Sequence, residues 1–206
     1  LEEILGGKRK PIRTIYVSSY IPRKCGIATY TKDLTNAINP LNPYALAEIM
    51  AVNRSGENLN YPWEAKFKID ENNLSTYLQA ADYINHSGVD IVSLQHEFGL
   101  FGSRWGENIV PFVKSLKHPL VTTLHSVLSD PASDGGTITK RLIEKSAAIV
   151  VMMEQIKDKL VKKYHAPAEK IVMIPHGTLD LPLTSTDENK KRKKLSDRLV
   201  LGNINL

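Results

Sequence analysis

Short β-prone apolar runs and helix-period segments take turns along this chain, and that alternation most narrows the folds open to it. "TIYVSS" (14–19), "LAEIMAV" (46–52), "DIVSL" (90–94), "PLVTTL" (119–124), "AAIVVM" (147–152) and "KIVMI" (170–174) are each of strand length, and several are apolar nearly throughout. A strand covered on one face alternates apolar with polar residues, whereas a near-continuous apolar run marks a strand covered on both faces. Between these runs apolar residues recur at helical spacing: Ile27, Tyr30, Leu34, Ala37 and Ile38; Leu74, Leu78, Ala81 and Ile84; Ile109, Phe112, Val113 and Leu116; Ile156, Leu160 and Val161. "TITKRLIEK" (137–145) reads as a fifth helix. The expected fold is therefore α/β: a doubly wound, mainly parallel sheet with helices on both faces.

Residues 1–182 make one domain on this reading. Residues 183–198, "LTSTDENKKRKKLSDR", are polar and charged with no apolar stripe and read as a linker; 199–206, "LVLGNINL", reads as the first strand of a second domain. The net charge of +5 invites a nucleic-acid reading. "KKRKK" at Lys190–Lys194 accounts for all of it, and the rest of the chain has as many basic as acidic residues, so no nucleic-acid partner is expected. No apolar run approaches the ~20 residues of a membrane-spanning helix, and "LEEILGGKRKPIR" (1–13) has no signal-type apolar core. The single cysteine, Cys25, cannot form an internal disulfide, which fits a reducing, cytoplasmic setting.

In open α/β sheets ligands bind beyond the carboxyl ends of the strands. The segments that fall there are "YIPRKCGI", "QHEFGLFGSRWG", "HSVLSDPASDGG" and "PHGTLDLP". They hold three of the six histidines, His96, His125 and His176; His86, His118 and His165 fall near helix ends. Gly26 stands where a helix begins, and a helix N-terminus carries about half a positive charge and can hold a phosphate. Neither the G-x-G-x-x-G nor the Walker pattern is present. Each of these residues also has an ordinary reading: a glycine for a turn, a histidine packed at a strand end, a surface His96–Glu97 pair. The histidines and Glu97 lack the spacing of a metal site, and no metal is expected.

In chain order these pieces resemble the N-terminal half of a retaining, GT-B-type glycosyltransferase of family 4. "YVSSYIPRKCGIATYTKDL" resembles that family's first strand, glycine-bearing loop and helix. "DIVSLQHEFGLFG" and "PLVTTLHS" resemble its later strand–loop units, the former resembling a bacterial or archaeal subgroup. "AAIVVMMEQIKDKLVKKYHAPAEKIVMIPHGTLD" resembles the unit before its interdomain linker. Where many members have Gly-Gly in the first loop, this chain has Cys25–Gly26.

The resemblance implies a Rossmann-like domain on the acceptor side of a two-domain cleft, whose other half binds the donor nucleotide. It implies a nucleotide-sugar donor, a sugar or glycoconjugate acceptor, no separate cofactor, and compatibility with a peripheral membrane contact. By the same resemblance, backbone at Gly26 and Ile27 faces the donor diphosphate, and His125 bonds the transferring sugar and is the catalytic candidate. Gln95, His96, Glu97 and Arg104 line the acceptor side, and His176 lies at the hinge. Two other classes compete: a binding module without turnover, and a metal-dependent hydrolase on the same sheet.

Overall fold

The computed structural model describes residues 11–177 and 184–200. The expectations for residues 1–10, 178–183 and 201–206, including most of the proposed terminal strand, lie outside them. The described residues fall into two units, one ending at Pro175 and one beginning at His176.

The first unit is built on a seven-stranded sheet in the order β3-β2-β1-β4-β5-β6-β7. The strands are β1 (Thr14–Ser18), β2 (Glu48–Asn53), β3 (Ala65–Asp70), β4 (Ile91–His96), β5 (Leu120–Leu124), β6 (Ala148–Val151) and β7 (Ile171–Met173). Every pairing is parallel, so all seven carboxyl ends share one edge. Helices α1 (Gly26–Ile38), α2 (Leu74–His86), α3 (Ile109–Ser115), α4 (Asp134–Lys145) and α5 (Glu154–Tyr164) make the crossovers, with no helix between β2 and β3. The chain runs outward from β1 to β3, then crosses to β4 and runs the other way. That reversal opens a crevice between the loops after β1 and β4, the usual ligand position in such sheets.

The apolar runs bury residues on both faces, as the sequence predicts. Ile15, Val17, Met50 and Val52 join the larger core, while Tyr16, Ile49 and Ala51 join a second cluster with Tyr20 and Ala47. Local chemistry starts two of the helices: Asn73 accepts from the Ser75 N–H and Ser133 from the Gly136 N–H. A left-handed His165 ends α5.

Three sequence readings need correction. β3, "AKFKID", is absent from the predicted strands because Lys66 and Lys68 interrupt its apolar residues. It is an edge strand in which only Ile69 is buried, and exposed lysines are a common protection of such edges. The α1 face is rotated: Ala28, Thr31 and Thr35 are buried, Ile27, Tyr30 and Leu34 are half-buried, and Ala37 is exposed. Small residues let the helix sit close to the sheet, where Thr31 Oγ1 lies 2.7 Å from the buried Ser18 Oγ. Likewise α2 buries Tyr77, Ala80, Ala81 and Ile84, whereas Leu74 and Leu78 are exposed.

The second unit contains α6 (Thr186–Arg192), within the segment read as linker. Ser185 accepts from the Glu188 N–H, Asp187 and Glu188 lie in the first turn, and Lys190, Lys191 and Arg192 lie in the last. Cap and charge order together favour a helix, although α6 buries no residue.

Candidate active site

The loop from β1 to α1 is held from beneath. Arg23 is buried and its Nη1 donates to the Val52 carbonyl at 2.9 Å, while Nη2 lies 3.5 Å from Glu71. One side chain thus ties the loop to the ends of β2 and β3. Cys25 Sγ lies 3.1 Å from Ser19 Oγ, which closes the loop on itself. Cys25 is the extended residue before the helix, and its carbonyl accepts from Ala28 and Thr29. The Cys25 side chain does not cap α1, and no acidic residue stands in its first turn. The first N–H groups of a helix have no intrahelical acceptor, so this end retains its attraction for an anion.

Gly26 is the first residue of α1 and is not among the positive-φ glycines. Backbone conformation therefore does not require glycine here; a glycine places no side chain of its own between the helix end and an approaching group.

His125 follows β5 directly. Its N–H donates to the His96 carbonyl at 3.0 Å, extending the β4–β5 ladder by one bond. Its Nε2 lies 3.0 Å from Gln95 Oε1. The Tyr30 ring, on α1, meets the imidazole edge-on with 4.8 Å between centroids. The first turns of α1 and the loop after β5 thus converge at the carboxyl edge, where His125 is half-buried.

The four residues assigned to the acceptor side divide. Gln95 is fully buried and turns to His125. His96 does not line an open surface: it is fully buried, with Phe101 stacked at 5.8 Å and Phe98 edge-on at 5.0 Å. Neither ring nitrogen has a hydrogen-bond partner among the described residues. Burial, reinforced by His125, lowers its pKa to about 3, so it is neutral at physiological pH. As the last residue of an interior strand, His96 points into the core. Glu97 is a brace, its Oε1 accepting from the Phe98 N–H and the Ser126 hydroxyl, both at 2.9 Å. It ties the loop after β4 to the loop after β5. Arg104 is exposed and pairs with Asp134, the first residue of α4, at 3.0 Å.

His176 belongs to the second unit. Tyr30 and Arg23 were not among the sequence candidates. Tyr30 reads as one more apolar helix position, although its i+4 spacing from Gly26 puts both on one side of α1. Among the described residues no group of three or more His, Cys, Asp or Glu is placed to hold a metal ion, and no helix is long and apolar enough to cross a membrane.

Residues 26–178, well over half the chain, match the family model described as Glycosyltransferase Family 4. The chain belongs to glycosyltransferase family 4. The match begins at Gly26, the first residue of α1, and takes in His125. Solved structures agree on the fold of this family 4 chain. A glycosyltransferase from Rickettsia africae ESF-5 superposes with a TM-score of 0.58 at 16% identity, over 90% of this chain and 50% of that one. The apo lipopolysaccharide outer core galactosyltransferase WaaB gives 0.53 at 8% identity, over 81% of this chain and 46% of its own. The family 4 chain therefore spans about half the length of these enzymes. No curated protein matches it.

Proposed function

We propose that this chain is the acceptor-side half of a retaining hexosyltransferase that moves a sugar from a nucleotide-sugar to a hydroxyl of a sugar or glycoconjugate, in the cytoplasm. The observation that carries this reading is the convergence of the uncapped α1 N-terminus with His125, through Tyr30, at the carboxyl edge of the sheet.

The chemistry suits that arrangement. As the glycosidic bond breaks, negative charge accumulates on the departing diphosphate. A fixed helix N-terminus in a water-poor cleft stabilises such charge, and losing one donor of this kind costs roughly 3–4 kcal/mol. Gly26 and Ile27 present that backbone. His125, held between Gln95 and Tyr30, contacts the transferring sugar. The leaving phosphate takes the acceptor proton, so no side-chain base and no cofactor beyond the donor is needed. Glu97 fixes the relation between two site loops, and Arg104 is an exposed cation within the loop after β4 for an anionic acceptor. His176 is assigned to the hinge.

Membership of a glycosyltransferase family supports the reaction class, and the match over about half the length of the solved glycosyltransferases supports the assignment as one half of a cleft. The test is the initial rate of sugar transfer by the two-domain enzyme carrying Gly26→Val.

A further inference from the structure

We infer that Gln95 is a positioning residue that holds the neutral His125 ring in its Nε2–H tautomer. The functional weight of this inference rests on the role proposed above for His125; the inference itself concerns the resting ring.

Gln95 lies one residue before the end of β4, in register with Thr123 of β5, and its side chain is fully buried. Its amide nitrogen donates to Ser93 Oγ, two residues earlier on the same face of the strand, at 3.4 Å. With the NH₂ group turned to Ser93, the carbonyl oxygen is the atom presented to His125, 3.0 Å from Nε2. A carbonyl oxygen only accepts, so the proton in this contact belongs to the imidazole. In the neutral ring one nitrogen carries the hydrogen and the other a lone pair, and the bond made by one decides the character of the other. Gln95 therefore makes Nδ1 the lone-pair nitrogen.

The ring's orientation is fixed by the same set of contacts. The backbone of His125 is tied to His96, Tyr30 packs edge-on against the imidazole, and Gln95 sits inside the sheet with little freedom to swing away. An amide is also neutral. A carboxylate at this position would favour the imidazolium, whereas glutamine selects a tautomer without adding charge.

The experiment is long-range proton–nitrogen correlation NMR on the 206-residue chain, labelled at histidine nitrogen, at a pH where the ring is neutral. The His125 signals are assigned by their disappearance in His125→Phe. The expected wild-type pattern is that of the Nε2–H tautomer. Gln95→Leu removes the acceptor and shifts the ring toward a tautomer mixture; Gln95→Glu keeps an acceptor at the same place and, because its carboxylate favours the imidazolium, is read at a pH raised until the ring is neutral, where it retains Nε2–H. A wild-type Nδ1–H pattern overturns the inference, as does an unchanged His125 pattern in folded Gln95→Leu. If Gln95→Leu does not fold, the wild-type and Gln95→Glu spectra decide the matter, Nδ1–H in either overturning it.

A separate arm reads function. In the two-domain enzyme Gln95→Leu is expected to lower kcat about tenfold or more with donor KM unchanged, and Gln95→Glu to recover part of the loss. Normal transfer by His125→Phe alongside an intact Nε2–H signal in the wild type would leave the tautomer assignment standing and remove the proposed role of His125.

Discussion

Replacing His96 with leucine should make the protein less sensitive to acid without weakening it near neutrality. The imidazole is fully buried, both nitrogens lack partners among the described residues, and Phe98 and Phe101 pack against it. Burying an unsatisfied polar group costs about 1–3 kcal/mol, so an apolar side chain of similar volume is expected to be neutral or stabilising. The pH dependence follows from the lowered pKa. His96 titrates at about 3 when folded against an ordinary value of 6.5. Below 6.5 the unfolded chain takes up a proton that the folded chain refuses. The stability associated with the neutral ring is therefore present above 6.5 and is lost as pH falls toward 3. Between about pH 7 and pH 5 that loss is about 2 kcal/mol. Urea unfolding of wild type and His96→Leu at both pH values isolates it, because other titrating groups cancel in the difference. The wild type should lose about 2 kcal/mol more than the variant. Equal losses would show that His96 is hydrated or paired in the folded protein and refute the argument.

Thr31→Val keeps the shape of the side chain but strips the partner from the buried Ser18 hydroxyl, at a cost of about 1–3 kcal/mol; adding Ser18→Ala should recover part of that in thermal unfolding. Gly102→Ala should lower Tm by about 5–15 °C, because φ at Gly102 is +59° and an added Cβ would stand 1.8 Å from the Glu71 carbonyl oxygen.

The alternation of periods made the α/β class and the parallel sheet legible, since strands covered on both faces must be apolar nearly throughout. It failed at β3, where one side of an edge strand faces water and lysines break the run. It also failed on the face of α1. Sequence ranks Tyr30 and Leu34 above Thr31 and Thr35, but a helix seated closely on a sheet selects small side chains whose hydroxyls find partners. At the site, position at a strand end pointed to His96 and His125 alike. Only three dimensions distinguish them: His96 turns into the core, and His125 stands just beyond its own strand, against Gln95 and Tyr30. Arg23 carried no pattern of its own. Its value depends on meeting Val52 and Glu71, far along the chain.

The initial rate of sugar transfer against nucleotide-sugar concentration, for the proposed two-domain enzyme with and without Gly26→Val, tests the central claim most directly. Gly26 is not among the positive-φ glycines, so its backbone conformation admits valine, and circular dichroism checks that the variant is folded. The branched side chain is expected to keep the diphosphate from the α1 N-terminus, and kcat/KM for the donor to fall by about a hundredfold or more. A folded variant that transfers sugar at the wild-type rate across the donor range would contradict the claim that this helix end receives the phosphate.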